Sequence, residues 1–209
     1  MKNPHRGGEN KKMRNSKIRD LTFMAIFIVL IAIGARITIP VPVCPFTLQL
    51  EFTTLAALIL GWKKGGFAVF AYVLLGLAGL PMFAAGGGPG YIVQPTFGYL
   101  AGYIFGTIVT GLIAGKNREH KSFIRLLAAN LAGLMVVYAF GMAYLWFIRN
   151  IYMTGNPITF QALVIYCFFL AVPGDILLCV FAAELGRRLL PVLEKNDLLL
   201  DNRTRVAGV

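Results

Sequence analysis

The chain has 209 residues, 57% of them apolar and only 14% charged, with a mean hydropathy of +0.71. A soluble domain carries nearer a quarter charged residues, so this composition excludes a water-exposed globule. The formal charge of +11 would suggest a nucleic-acid partner for a soluble chain. In a polytopic membrane protein the same excess collects in cytoplasmic loops, so its placement along the chain decides.

Residues 1–20 are polar, basic and rich in Gly and Asn, and are expected to form a disordered cytoplasmic tail. A first span is expected at about 21–39. It is longer than the apolar core of a signal peptide and is followed by further spans, so it reads as uncleaved despite the small residues Ala32 and Gly34. Pro40, Pro42 and Pro45 end that helix, because proline cannot donate a backbone hydrogen bond. A second span is expected at about 47–62, then a tight turn through Lys63, Lys64, Gly65 and Gly66, then a third at about 66–80. A Gly/Pro-rich loop follows, with a fourth span at about 96–115, a charged loop at 116–122 and a fifth span at about 123–149. The stretch 158–190 is too long for one ordinary span. Pro173-Gly174 divides it into a short re-entrant or interfacial helix at 158–171 and a sixth span at about 173–190, with a seven-span arrangement as the competitor.

Charge tests this order. Eighteen of the 20 basic residues fall in the tail before Leu21, in the turn after span two, around the loop after span four and in the C-terminal end; only Arg36 and Arg149 lie opposite. The alternation fits six spans with both termini cytoplasmic, whereas a seventh would put the last five bases outside. The expectation is an all-α, polytopic membrane protein of six transmembrane helices. Its transmembrane domain covers 21–190, with a cytoplasmic tail at 191–209.

Cys44, Cys167 and Cys179 form no CxxC pair and read as small buried hydrophobes, and His5 and His120 have no partners at metal spacing. The chain has no phosphate-binding loop, so it is not expected to hydrolyse ATP, and it has no nucleophile elbow or metalloprotease helix. Gly98, Gly102, Gly106, Gly111 and Gly115 recur at helical spacing and are read as close packing inside the bundle. The run Gly86, Gly87, Gly88 and Gly90 lacks the Lys and Ser/Thr of a phosphate cradle; it reads as a flexible external lid or binding loop whose backbone can approach a ligand.

Polar groups at membrane depth are costly to desolvate and mark cavities or partners. Asp175 follows Pro173-Gly174 at a helix start, where the dipole favours its charge; an acidic cap is the plain alternative. Gln49 and Glu51 lie near the outer end of span two and Arg36 near that of span one, where an Arg36–Glu51 ion pair is an equal reading. Gln94, Asn150, Asn156 and Gln161 are further outer candidates, and Asn130 reads as interhelical glue. The convergence suggests a small-solute binding or transport protein with its pocket in the outer half of the bundle.

Three stretches carry a resemblance: "IPVPVCPFTLQ" after span one, "GLAGLPMFAAGGGPGYIVQPTFGYLAGYIFG" across spans three and four, and "VPGD" at span six. Over roughly residues 20–190 the chain resembles the BioY-type biotin transporter family, the substrate-binding S-components of energy-coupling-factor transporters. The resemblance implies a six-helix S-component in the bacterial plasma membrane that captures biotin from outside and releases it inward by reorienting as a whole. It implies a transmembrane coupling protein and two cytosolic ATPases as partners, with no catalysis and no cofactor in this chain. The candidate substrate-binding residues are Asp175, Arg36, Gln49, Tyr91, Gln94, Thr96, Gly87 and Gly88. Asp175 would accept the ureido N–H groups. The family usually reads Pro-Gly-Asp-x-x-Lys, with the lysine helping to bind the ligand; here that position is Leu178, and Arg36 is the substitute cation. Gln94-Pro95-Thr96 stands where the family has Gly-Pro-Thr, and the family's Ala-x-x-x-Ala seam on the first helix becomes Ala25, Ala32 and Ala35. An S-component for another small solute, a membrane-embedded enzyme using Asp175 and Glu51, and a structural subunit without a ligand stand as the other readings.

Overall fold

Long apolar runs without water must satisfy their own backbone, and the helix is the element that does so within one segment. The computed structural model describes residues 4–39, 46–115, 122–153, 155 and 157–196. Pro40, Pro42, Cys44, Pro45, His120, Asn156, the bases Lys116, Arg118 and Lys121, and the tail beyond residue 196 lie outside them.

Helix α1 is Pro4–Arg36. It begins well before the apolar run, so the expected disordered tail is largely helical backbone, propagated from a helix already nucleated. Strands β1 (Thr38–Ile39) and β2 (Phe46–Thr47) pair antiparallel, Thr38 with Thr47 and Ile39 with Phe46.

Helix α2, Gln49–Leu77, is two limbs, 49–60 and 62–77. They meet at Gly61, whose φ of 84° and ψ of 172° break the helix at the one residue type that takes this conformation without a Cβ penalty. The limbs fold back on each other: a Cβ on Gly65 would lie 2.9 Å from the carbonyl oxygen of Ala56. The turn therefore comes earlier than the expected Lys63–Gly66. Lys63 and Lys64 already belong to the second limb, and Gly65 and Gly66 serve close packing instead. The first limb is buried on nearly every face and forms the centre of the bundle.

Helix α3 is Phe97–Ala114 and α4 is Phe123–Phe147, extended by a π-helical turn, Ile148–Tyr152. The glycine series of α3 packs inside the bundle, as expected. Cβ atoms on Gly102 and Gly106 would come within 2.9 Å of the Val137 Cα and 2.7 Å of its Cγ2, and one on Gly111 within 2.6 Å of Trp62. Gly133 and Gly141 of α4 answer with close approaches to Thr110 and Tyr99. Helix α5 (Phe160–Val164) and a π-helical turn (Ile165–Phe169) lead into α6, Val172–Lys195, with Pro173 in its first turn. Buried Asn130 donates to the Cys179 carbonyl at 3.0 Å and ties α4 to α6. Cys167 and Cys179 are both buried.

Among the described residues five helical stretches are long and apolar enough to cross a membrane. The fold at Gly61 divides one of them, which accounts for the difference from six. Large apolar side chains such as Leu21, Phe67, Phe105, Met135 and Phe181 face outward, the surface of a multi-pass membrane protein. Basic residues gather at one end. Lys64 pairs with Asp20 at 2.6 Å, joining the start of the first span to the fold of α2. Arg125 donates to the Ile113 carbonyl at 3.4 Å, joining α3 to α4, and Leu190 near the end of α6 clusters with Ala114 and Leu126.

Candidate functional site

At the opposite end the helices diverge around a cavity of about 240 Å³. One side is Thr47 at the end of β2 with Gln49 and Leu50 at the start of α2. Helix α3 contributes Tyr99, Leu100 and Tyr103, and α4 contributes Leu134, Val137 and Tyr138. Ala171 and Asp175 come from the entry to α6, and the loop between α2 and α3 supplies Ala84, Ala85, Tyr91, Gln94 and Thr96. The result is mostly apolar walls with a few oriented polar groups, the usual design of a small-molecule site.

Asp175 sits in the first turn of α6, whose positive dipole end favours a carboxylate. Its Oδ2 accepts a hydrogen bond from the buried Tyr138 hydroxyl. The Tyr138 ring is fixed edge-on between Tyr99, with centroids 6.0 Å apart, and Phe168 at 5.7 Å. Gln49 is buried, and its side-chain nitrogen has no hydrogen-bond partner among the described residues.

The loop expected to be a flexible external lid or binding loop is tied to α2 and α4 by packing and hydrogen bonds. Phe83 is fully buried on Gly76, in edge contact with Tyr72 and 4.5 Å from the Tyr91 ring centroid. Phe83 and Gly86 exchange backbone hydrogen bonds of 2.8 and 3.1 Å, and Gly88 donates to the Gly76 carbonyl at 2.7 Å. The Tyr72 hydroxyl donates to Met82 and that of Tyr144 to Ile92. Glycines at positive φ, Gly86 at 118° and Gly88 at 105°, allow the tight path.

Five of the eight expected residues line the cavity together: Asp175, Gln49, Tyr91, Gln94 and Thr96. Gly87 and Gly88 do not. They form the frame of the cap, with Gly87 pressed against the Leu80 carbonyl, while Ala84 and Ala85 face the cavity. Arg36 also lies apart, its guanidinium donating to the Pro81 carbonyl. It does not pair with Glu51, which is buried on the core side of α2 with neither carboxylate oxygen hydrogen-bonded among the described residues. Asn150 is structural, donating to the Trp146 and Ile158 carbonyls, and Gln161 is exposed. Tyr99, Tyr103, Tyr138 and Thr47 were not expected at the site. Tyr99 and Tyr103 share a helix face at i, i+4, and hydroxyl-bearing rings at membrane depth were the signal available.

The sequence pattern of the BioY family matches residues 9–195. The chain belongs to the BioY family. It is 35% identical over 182 residues to the probable biotin transporter BioY of Lysinibacillus sphaericus, covering 86% of this chain and 91% of that protein. It is 47% identical over 136 residues to the biotin transporter BioY of Thermotoga maritima, covering 65% and 76%. Its fold superposes on the crystal structure of the S-component for biotin from an ECF-type ABC transporter with a TM-score of 0.71 at 28% identity, covering 84% of this chain and 92% of that one. The five lining residues that were expected, and Tyr138, all fall within the span that the BioY family pattern matches.

Proposed function

We propose that this chain is the biotin-binding S-component of an energy-coupling-factor transporter and that the outer cavity is its binding site. The carrying observation is the Asp175 carboxylate, held by Tyr138 and lining a mostly apolar cavity in a BioY-family fold. A cyclic urea has two N–H donors and a carbonyl acceptor. Asp175 accepts the N–H groups, the Gln49 amide donates to the carbonyl, and Leu50, Leu100, Leu134 and Val137 cover the apolar ring and chain. Nothing in this arrangement performs chemistry on the ligand; the chain binds and carries, and is not an enzyme.

The chain has no nucleotide-binding motif, so the energy for release comes from an ECF module. We assign that module a transmembrane coupling protein and two cytosolic ATPases. The basic end of the bundle then faces the cytoplasm with both termini, in the plasma membrane of a bacterium, and the cavity faces outward. Calorimetric titration of the purified protein with biotin tests the reading. Saturable one-site binding is the expected result. Absence of heat, together with no protection from thermal unfolding at saturating biotin, would overturn it.

A further inference from the structure

Glu51 does not line the outer cavity, yet it is only 3% exposed, the one ionisable carboxyl among the buried polar side chains of the described residues. Neither of its oxygens has a hydrogen-bond partner among those residues. Its place follows from the face it shares with Leu55 and Leu58, one and two turns further along α2. Leu55 clusters with Ala182 of α6, and a Cβ added to Gly186 of α6 would lie 2.8 Å from the Leu58 Cδ1. The first limb of α2 and α6 therefore run side by side, and one turn toward the cavity Glu51 falls opposite Cys179. No Lys, Arg or His is buried among the described residues. The titratable groups at this depth are Asp175 and Cys179 of α6, Tyr138 of α4, and Tyr99 and Tyr103 of α3, while α1 offers the apolar Phe23, Met24 and Phe27.

The two carboxyls of this seam have unequal support. Both stand in the first turn of a helix, which favours an anion, but only Asp175 also accepts a hydrogen bond, from Tyr138. A buried carboxylate with neither donor nor cation loses its hydration for nothing, and it removes the charge by taking up a cation. A metal ion needs several oxygens around it. Among the described residues no three His, Cys, Asp or Glu side chains converge, and the Thr53 and Thr54 hydroxyls donate to the Leu50 and Glu51 carbonyls. A proton needs only one further acceptor. We propose that Glu51 is a proton-binding site, a neutral carboxylic acid at neutral pH, which leaves the negative charge of the α2–α6 seam on Asp175. Buried Asn130 spends its Nδ2 on the Cys179 carbonyl and has no partner for its Oδ1 among the described residues, so it is the acceptor this seam offers to the acid O–H. The site stands apart from the biotin-binding reading and does not depend on it.

Infrared spectroscopy of the full-length purified protein at neutral pH reads the proton directly. The parent should show the carbonyl stretch of a protonated carboxylic acid, shifted in heavy water. The band should be absent from Glu51→Gln and retained in Asp175→Asn. Glu51→Gln, neutral and of the same shape, should unfold at the temperature of the parent. Isotope-labelled glutamate incorporated into the parent should shift the same band, so the assignment stands even where a variant fails to fold. A parent spectrum without the band at neutral pH overturns the proposal, and so does a band that survives in Glu51→Gln or is unmoved by the labelled glutamate. Thermal stabilisation of the parent by sodium chloride over choline chloride, lost in Glu51→Gln, also overturns it and makes the cation a metal ion instead.

Discussion

The Tyr138 hydroxyl, midway along α4, donates its hydrogen bond to the Asp175 carboxylate at the start of α6. The contact joins two helices separated by two π-helical turns and α5, as Asn130 and the Cys179 carbonyl do further along the same pair. Removing its donor by Tyr138→Phe leaves the ring packing with Tyr99 and Phe168 in place. Ligand affinity should fall by about one order of magnitude, as for loss of a hydrogen bond to a charged group. Asp175→Asn should cost about one to two orders, and still fold, because Asn is tolerated at a helix start. The double variant should lose less than the sum, since both changes break the same contact. Calorimetry on the four proteins measures the coupling, and strict additivity would mean that Tyr138 does not position Asp175.

Leu178→Lys places a cation one turn from Asp175. Biotin, as the free acid, should then gain about tenfold in affinity relative to biotinamide, as a charge-assisted partner becomes available to its carboxylate. The ratio of the two dissociation constants, measured in parent and variant, reports this directly.

Phe83 is the anchor of the cap. Phe83→Ala removes a fully buried ring from its seat on Gly76, Tyr72 and Tyr91, with an expected local loss of about 3–5 kcal/mol. Hydrogen exchange across 81–95 should accelerate strongly and bound ligand should dissociate faster, while the helices keep their protection. Unchanged exchange in that segment would mean that the hydrogen bonds to Gly76, Met82 and Ile92 hold the cap without the ring.

Gly102 sets the spacing of α3 and α4. In Gly102→Ala the new methyl meets Val137 backbone atoms at 2.9 Å, so a helix must shift, at a cost of about 1–3 kcal/mol. Gly90, in the cap, has open space around it, and Gly90→Ala should be neutral. Thermal unfolding in detergent, followed by intrinsic fluorescence, should separate the two.

The proposed orientation puts both termini in the cytoplasm. A single cysteine introduced at Val209 in an otherwise cysteine-free background should react with a membrane-impermeant maleimide only after the cells are permeabilised. Labelling of intact cells would reverse the bundle and place the cavity inside.

The membrane-embedded, all-helical character was legible in composition, because a chain so poor in charge leaves its backbone no solvent but itself. The sequence also located Asp175 at a helix start and the glycine series of α3 at a packing seam, since proline, glycine and acidic residues act through neighbours within a turn or two. Five cavity residues were legible for the same reason: each lies beside a proline, a glycine or a helix end. Tyr99 and Tyr138 were not, because a tyrosine in an apolar helix looks the same whether it faces lipid, a neighbour or a cavity. Its direction depends on the rotation of that helix, which the α3–α4 and α4–α6 contacts decide. Arg36, Gly87 and Gly88 failed in the opposite way. They lie at the correct end of the bundle, but the pairing of β1 with β2 and the anchoring of Phe83 turn them into frame. Tertiary structure also chose Gly61 over Gly65 as the bend. Both residues can take a positive φ, and only the packing of the second limb against Ala56 requires one of them to stay helical.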